Sequence, residues 1–219
     1  MSNAENEELY FDLCENARDL IQSVSPEGRF IYVNRAWCKT LGYGKEDIGS
    51  LVVFDIIAPE SQPHCMQVFQ ELMKKGEVPA FDTILVAKDG RRIHVEASAS
   101  CRFEQGRPVA TRASFRDVTQ RKQVEQELNR LFELSLDLLC VAGTDGFFKH
   151  MNPAFEHVLG YNREELLSSA FIEFVHPEDQ PGTLEAVEQL SQGLTVVDFQ
   201  ISYRMKDGGY RWLAWRCAP

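Results

Sequence analysis

The sequence predicts an α+β chain made of two copies of one domain, each an antiparallel sheet with its helices gathered on one face. Three observations predict it. Signature residues recur at one fixed offset of 118 positions: Asn34 as Asn152, Leu41-Gly42-Tyr43 as Leu159-Gly160-Tyr161, Pro59-Glu60 as Pro177-Glu178, and Lys88-Asp89-Gly90 as Lys206-Asp207-Gly208. Phe30 and Glu46 likewise return as Phe148 and Glu164. Within the first copy, strand-like runs come as a hairpin, then helical segments, then three hairpin-linked runs. Apolar and polar residues alternate along the later runs, as they do in a sheet with one buried face. A period this long exceeds the repeats that stack into solenoids, so each copy is expected to be a domain with its own core.

The elements follow in order. Tyr10, Leu13, Cys14 and Ala17 fall at i, i+3, i+4 and i+7, the spacing of a short amphipathic helix. Two β-rich runs, 19–25 and 29–33, flank Pro26-Glu27-Gly28 and read as a hairpin. Asn34 is placed to cap a helix that stops at Gly42. Short helical turns fill 45–57, and a longer helix runs from Gln62 to Lys75 before Gly76. Strands are expected over 80–87, 91–103 and 109–118, the first two joined by an Asp89-Gly90 turn. Ile93, Val95, Ala97 and Ala99 form the inward face of one strand, and Val109, Ala113 and Phe115 that of the next. The expected organisation is an N-terminal helix (1–18), a first domain (19–118), a linker helix (119–136) and a second domain (137–219).

Composition narrows the function. A formal net charge of −10 argues against nucleic acid, whose phosphates need a basic face. No run approaches the roughly 20 apolar residues of a membrane span. Six cysteines without CxxC or zinc-site spacing fit a reducing cytoplasm and no metal site. No nucleophile elbow or phosphate-binding glycine loop is present, so the chain is not expected to be an enzyme.

The marks above, with Asp19-Leu20, the run from Gly28 to Asn34, the exit sequence Asp117-Val118-Thr119, and His176 to Asp179 and Asp207 to Trp212 in the second copy, resemble tandem PAS domains, the sensor modules of bacterial signalling proteins. The resemblance covers nearly the whole chain from Asp19. It implies a five-stranded antiparallel sheet in spatial order 2-1-5-4-3. The second copy stops within or just after its fourth strand, without the central fifth. The expected reason is that the chain is a fragment of a longer protein; a strand from another chain is the alternative.

The resemblance also implies where ligands belong. Some haem-binding members take an axial ligand from the helix that carries His64. Photosensors use a reactive cysteine that the stretch Leu51 to Ile57 lacks. No cofactor is therefore assigned; haem on His64 and non-covalent flavin stay as alternatives. Pocket volume is the more useful signal. At matched inward positions the first copy has Thr83, Leu85, Ala87, Val95, Ala97 and Ala99 where the second has Ile201, Tyr203, Met205, Leu213, Trp215 and Cys217. Larger side chains fill space in a close-packed interior. The first domain is expected to hold a small ligand or a water-lined cavity, with Trp37, Thr83, Leu85, Val95, Ala97, Ala99 and Phe115 as candidates, and the second to be plugged. Closure of the first core by Trp37 and Phe115 stays open as the alternative.

Val124, Leu128, Leu131 and Ser135 follow the 4-3-4 spacing of a two-chain seam. With Trp212, expected to face outward, Val124, Leu128 and Leu131 are the candidate interface residues of a homodimer. In resembling proteins the positions of Asp117 and Thr119 anchor the last strand to the outgoing helix, which carries the signal. The expected function is the sensory and dimerisation part of a cytoplasmic signalling protein, the input region of a sensor histidine kinase or diguanylate cyclase, relaying small-molecule or partner binding through the linker helix to a C-terminal output domain that lies beyond this chain. A haem or flavin redox or gas sensor, and a purely structural dimerisation spacer, are the competing readings.

Overall fold

A computed structural model describes residues 3–219 and the side chains from residue 8 onward, that of residue 45 excepted. The chain divides into two compact units, Met1–Val124 and Glu125–Pro219.

The first unit opens with α1 (Asn3–Glu15), followed by the hairpin β1 (Leu20–Val24) and β2 (Phe30–Val33). Helices α2 (Arg35–Leu41), α3 (Lys45–Ile48) and α4 (Gln62–Lys75) come next, with a 3₁₀ turn at Val53–Ile56. Strands β3 (Phe81–Val86), β4 (Arg92–Glu104) and β5 (Arg107–Asp117) complete it. The five strands form one antiparallel sheet in the order β2-β1-β5-β4-β3, as the resemblance implied.

The local signals act as read. Asn34 Oδ1 accepts from the Trp37 backbone N–H at 3.0 Å, capping α2. Gly42 ends that helix at φ 75°, a left-handed conformation that glycine adopts without strain. Inward residues of β3 and β4 alternate with outward ones and meet Leu20, Val24, Trp37, Leu41 and Ile56 in one core.

The chain enters the second unit through α5 (Thr119–Leu134). There β6 (Cys140–Ala142) pairs with β7 (Phe148–Met151), followed by α6 (Ala154–Leu159), α7 (Arg163–Ser168), a 3₁₀ turn at Phe171–Phe174 and α8 (Gln180–Ser191). Strands β8 (Val196–Arg204) and β9 (Tyr210–Cys217) form a separate two-stranded sheet. The element order repeats that of the first unit up to its fourth strand. No strand among the described residues joins β6 to β9 as β5 joins β1 to β4. Among the described residues no helix is long and apolar enough to cross a membrane.

Candidate functional site

The register of the sheet builds the site. Gln22 on β1 pairs with Ala113 on β5, and Ala113 pairs with Ala99 on β4. Two alanines in a row across the middle of a sheet leave room above them. That room is a cavity of about 50 Å³, enough for a few water-sized spheres. Helix α4 roofs it with Cys65, Phe69 and Leu72, and the sheet supplies its floor.

Of the candidate residues, Thr83, Leu85, Ala99 and Phe115 line this cavity. Trp37, Val95 and Ala97 do not; they are buried in the adjoining core. Trp37 packs instead against Phe30 and Tyr43, with ring centroids 5.3 and 5.8 Å away. Sequence reasoning found Thr83 but missed the rest of the polar lining, Gln22, Thr111 and Cys65. Gln22 shares the inward face of Leu20 and Val24, and a carboxamide in an otherwise apolar register was the available sign. Its Oε1 accepts from Trp37 Nε1 at 3.0 Å. Cys65 Sγ and Thr83 Oγ1 lie 3.1 Å apart; burial pushes the thiol pKa up, and the threonine contact partly offsets this.

His64 is exposed on α4 and sets its ring against Phe81 at 5.9 Å, while its neighbour Cys65 faces the cavity. A 50 Å³ space with no histidine in its lining does not fit a haem. Nor does it fit a flavin, since sites for ligands of that size run to several hundred Å³.

At the matching inward positions the second unit carries larger side chains. Trp215 packs against Phe155 and Tyr203 at 6.1 and 5.6 Å. Burial, then the Cys217 thiol, pushes Cys140 up to about 12. Trp215 Nε1 is the buried side-chain nitrogen or oxygen among the described residues that has no hydrogen-bond partner.

A second part of the site lies where β5 ends. Thr119 Oγ1 accepts from the His94 backbone N–H at 2.9 Å, and Asp117 Oδ1 accepts from the Thr119 N–H at 2.9 Å. Val118 N–H donates to the His94 carbonyl at 2.9 Å. The first turn of α5 adds an Arg121–Glu96 ion pair and a Lys122–Asp82 pair at 2.8 Å. Asp117 and Thr119 thus lock the start of α5 to β4, the strand that carries Ala99.

Each unit also holds its incoming helix through an asparagine. Asn34 Nδ2 donates to the carbonyls of Cys14 and Asp19, and its Oδ1 accepts from Ile21 and Trp37, all at 3.0 Å. Asn152 Nδ2 donates to Ser135 and Asp137, and its Oδ1 accepts from Leu139. The repeated lysine has a partner in both units: Lys88 Nζ bonds Asp47, and Lys206 Nζ bonds Glu165, each at 2.7 Å. Those hydrogen bonds, with a backbone N–H on each carboxylate, hold Asp47 and Glu165 below the usual carboxylate range.

The candidate interface residues lie at the surface. Val124, Leu128 and Leu131 are 54%, 61% and 61% exposed, and Trp212 is 70% exposed opposite Ser202 on the two-stranded sheet.

Comparison with known proteins agrees with this architecture. Residues 20–120 match the family model described as PAS domain, and residues 148–219 match the one described as PAS fold. Sporulation kinase E of Bacillus subtilis (strain 168) is 22% identical over 148 residues, which is 64% of this chain and 20% of that protein. The chain therefore spans a fifth of that relative's length. Among solved structures, a PAS domain from Colwellia psychrerythraea is 20% identical and covers 53% of this chain and 99% of its own, with a TM-score of 0.49. A domain of a sensory box sensor histidine kinase/response regulator from Geobacter sulfurreducens is 22% identical, covers 53% of this chain and 97% of its own, and has a TM-score of 0.46.

Proposed function

We propose, from the premise that this chain belongs to the PAS family and carries two of its domains in tandem, that it is the sensory and dimerisation region of a cytoplasmic signal-transduction protein. In this reading the first domain (19–118) takes a small molecule, the linker helix (119–136) carries the response, and the second domain (137–219) relays it. The output is a histidine kinase or a diguanylate cyclase encoded outside these residues; the name of the curated relative favours the kinase. The chain itself is then a non-enzymatic input.

One observation carries this reading: the cavity and the start of α5 share a strand. Ala99 lines the cavity on β4, and His94 of the same strand holds Thr119 at the helix start. Occupancy that moves β4 therefore biases how α5 packs, which is how a small displacement becomes a discrete change. The exposed row Val124, Leu128 and Leu131 supports pairing of two copies along that helix. The apolar cluster that packs Trp215 against Phe155 and Tyr203 supports relay in the second domain.

Hydrogen exchange of the α5 amides tests the relay in the intact chain with and without a cavity ligand found by thermal-shift screening. The reading expects ligand to change exchange at the start of α5 in the wild type and not in Thr119→Val. Equal changes in both proteins overturn it. Dimerisation is tested by analytical ultracentrifugation: Leu128→Glu with Leu131→Glu is expected to give a monomer, and an unchanged mass refutes the seam.

A further inference from the structure

Gln22 is 97% buried by its own 3% exposure, in the middle of β1, and it lines the cavity of the first domain. Its carboxamide orientation is fixed by chemistry. An indole N–H can only donate, so the group 3.0 Å from Trp37 Nε1 is the carboxamide oxygen. The NH₂ end is left for other partners, and among the described residues none accepts from it. The other polar groups of the lining are engaged. Thr83 Oγ1 lies against Cys65 Sγ at 3.1 Å, and Thr111 Oγ1 donates to the Val24 carbonyl at 3.5 Å. The Gln22 NH₂ end is not enclosed by protein but reaches the open space of the cavity, where an acceptor the lining does not itself contain can meet it.

The rest of the lining sets the class of the occupant. It is apolar apart from those groups and includes no charged side chain, which disfavours an anion or a cation. Ala113 and Ala99 beside Gln22 provide the space, and about 50 Å³ admits only a molecule of few heavy atoms.

Resting on the reading of the first domain as a ligand-binding domain, we infer that its cavity takes a compact neutral molecule with a hydrogen-bond acceptor, of the short-chain carbonyl or alcohol class, held by the Gln22 N–H₂ group.

The probes are acetone and its isostere isobutene, which lacks the acceptor, with xenon as a reporter of the cavity alone. Each is titrated into the ¹⁵N-labelled intact chain while the Gln22 side-chain amide and Trp37 indole signals are followed. Acetone is expected to move the Gln22 amide protons downfield; isobutene and xenon are expected to perturb the neighbouring methyl signals without that shift. The ratio of acetone to isobutene affinity is expected to fall about tenfold in Gln22→Leu, the loss of one hydrogen bond. Ala113→Val, which fills the space and leaves Gln22 in place, is expected to abolish binding of all three probes. It keeps the test decisive if Gln22→Leu fails to fold.

Failure takes two separable forms. If no probe perturbs the cavity signals, ligand binding by the first domain is itself refuted. If the probes bind but acetone leaves the Gln22 amide unmoved, or the affinity ratio survives Gln22→Leu, only the role of Gln22 is refuted. A long-lived water seen by exchange at the Gln22 amide that persists under saturating acetone also overturns the assignment.

Discussion

Replacing Asn34 by aspartate separates two accounts of this residue. If it only capped α2, aspartate would serve equally well, since the two rank together at helix N-caps. The structure gives Asn34 four bonds instead, with Oδ1 accepting from Ile21 and Trp37 and Nδ2 donating to the carbonyls of Cys14 and Asp19. The side chain is fully buried. Aspartate keeps the acceptor and turns a donor into an anion 3.0 Å from two carbonyl oxygens. For Asn34→Ala, loss of the cap costs about 1 kcal/mol, and the orphaned Ile21 N–H adds about 1–3 kcal/mol. The total is about 3 kcal/mol, and Asn34→Asp is expected to cost at least as much at pH 7. Urea denaturation of the intact chain, read from the Trp37 indole N–H signal, measures it. With a slope of about 1–3 kcal/mol/M the midpoint falls by about 1–3 M. Lowering the pH to protonate the carboxyl is expected to recover part of the loss in Asn34→Asp and none in Asn34→Ala. A midpoint for Asn34→Asp indistinguishable from wild type at pH 7 refutes the four-bond account.

Three further outcomes are expected. The pKa values of Asp47 and Glu165 are lowered in the folded chain, by Lys88 and Lys206 first, so their stabilisation is present above the unfolded values of about 4 and is lost as pH falls through the lower folded ones. The melting-temperature gap between wild type and Lys88→Met with Lys206→Met is therefore expected at pH 7 and to close as pH falls through the lowered folded values; a gap independent of pH contradicts the pairing. Filling the first cavity with Ala99→Val recovers at most about 1 kcal/mol, from about 24 cal/mol per Å³ over its 50 Å³, and a larger loss seen by urea denaturation indicates that the space is not open. Trp215→Phe removes an unpartnered donor while keeping the ring contacts to Phe155 and Tyr203, so it is expected to shift stability by less than about 1 kcal/mol, against about 3–5 kcal/mol for Trp215→Ala in thermal or chemical denaturation.

What the sequence revealed of the fold is what depends on neighbours in the chain. Asn34 and Gly42 bracket α2, Gly76 stops α4, and alternation along β3 and β4 marks the buried face; each signal acts within a few residues. The order of the strands came from the resemblance, because pairing β1 with β5 joins residues nearly a hundred positions apart. The same distance hid the chemistry of the cavity. Gln22 is informative only once Trp37 is known to meet its oxygen and Ala113 and Ala99 are known to lie beside it. Glu46 and Glu164 are the identical pair, yet the lysines bond Asp47 and Glu165, where the two copies keep the charge and change the residue.

The two copies differ in a direction that bears on function. They share the groups that fasten backbone to backbone. Asn34 and Asn152 hold the incoming helix, and Gln62 and Gln180 each donate to two carbonyls of the preceding 3₁₀ segment and its end. Lys88 and Lys206 each tie a hairpin to the third helix of its domain or its counterpart. The inward residues, by contrast, are exchanged: Gln22 for Cys140, Leu85 for Tyr203, Ala97 for Trp215 and Ala99 for Cys217. Drift under a constant demand for a packed core trades volumes in compensating pairs. Here three of those four exchanges enlarge the side chain in the same copy. Under the function proposed above, a first frame with alanines beside a cavity and a second with Trp215 set against Phe155 and Tyr203 suit a receiver followed by a transmitter.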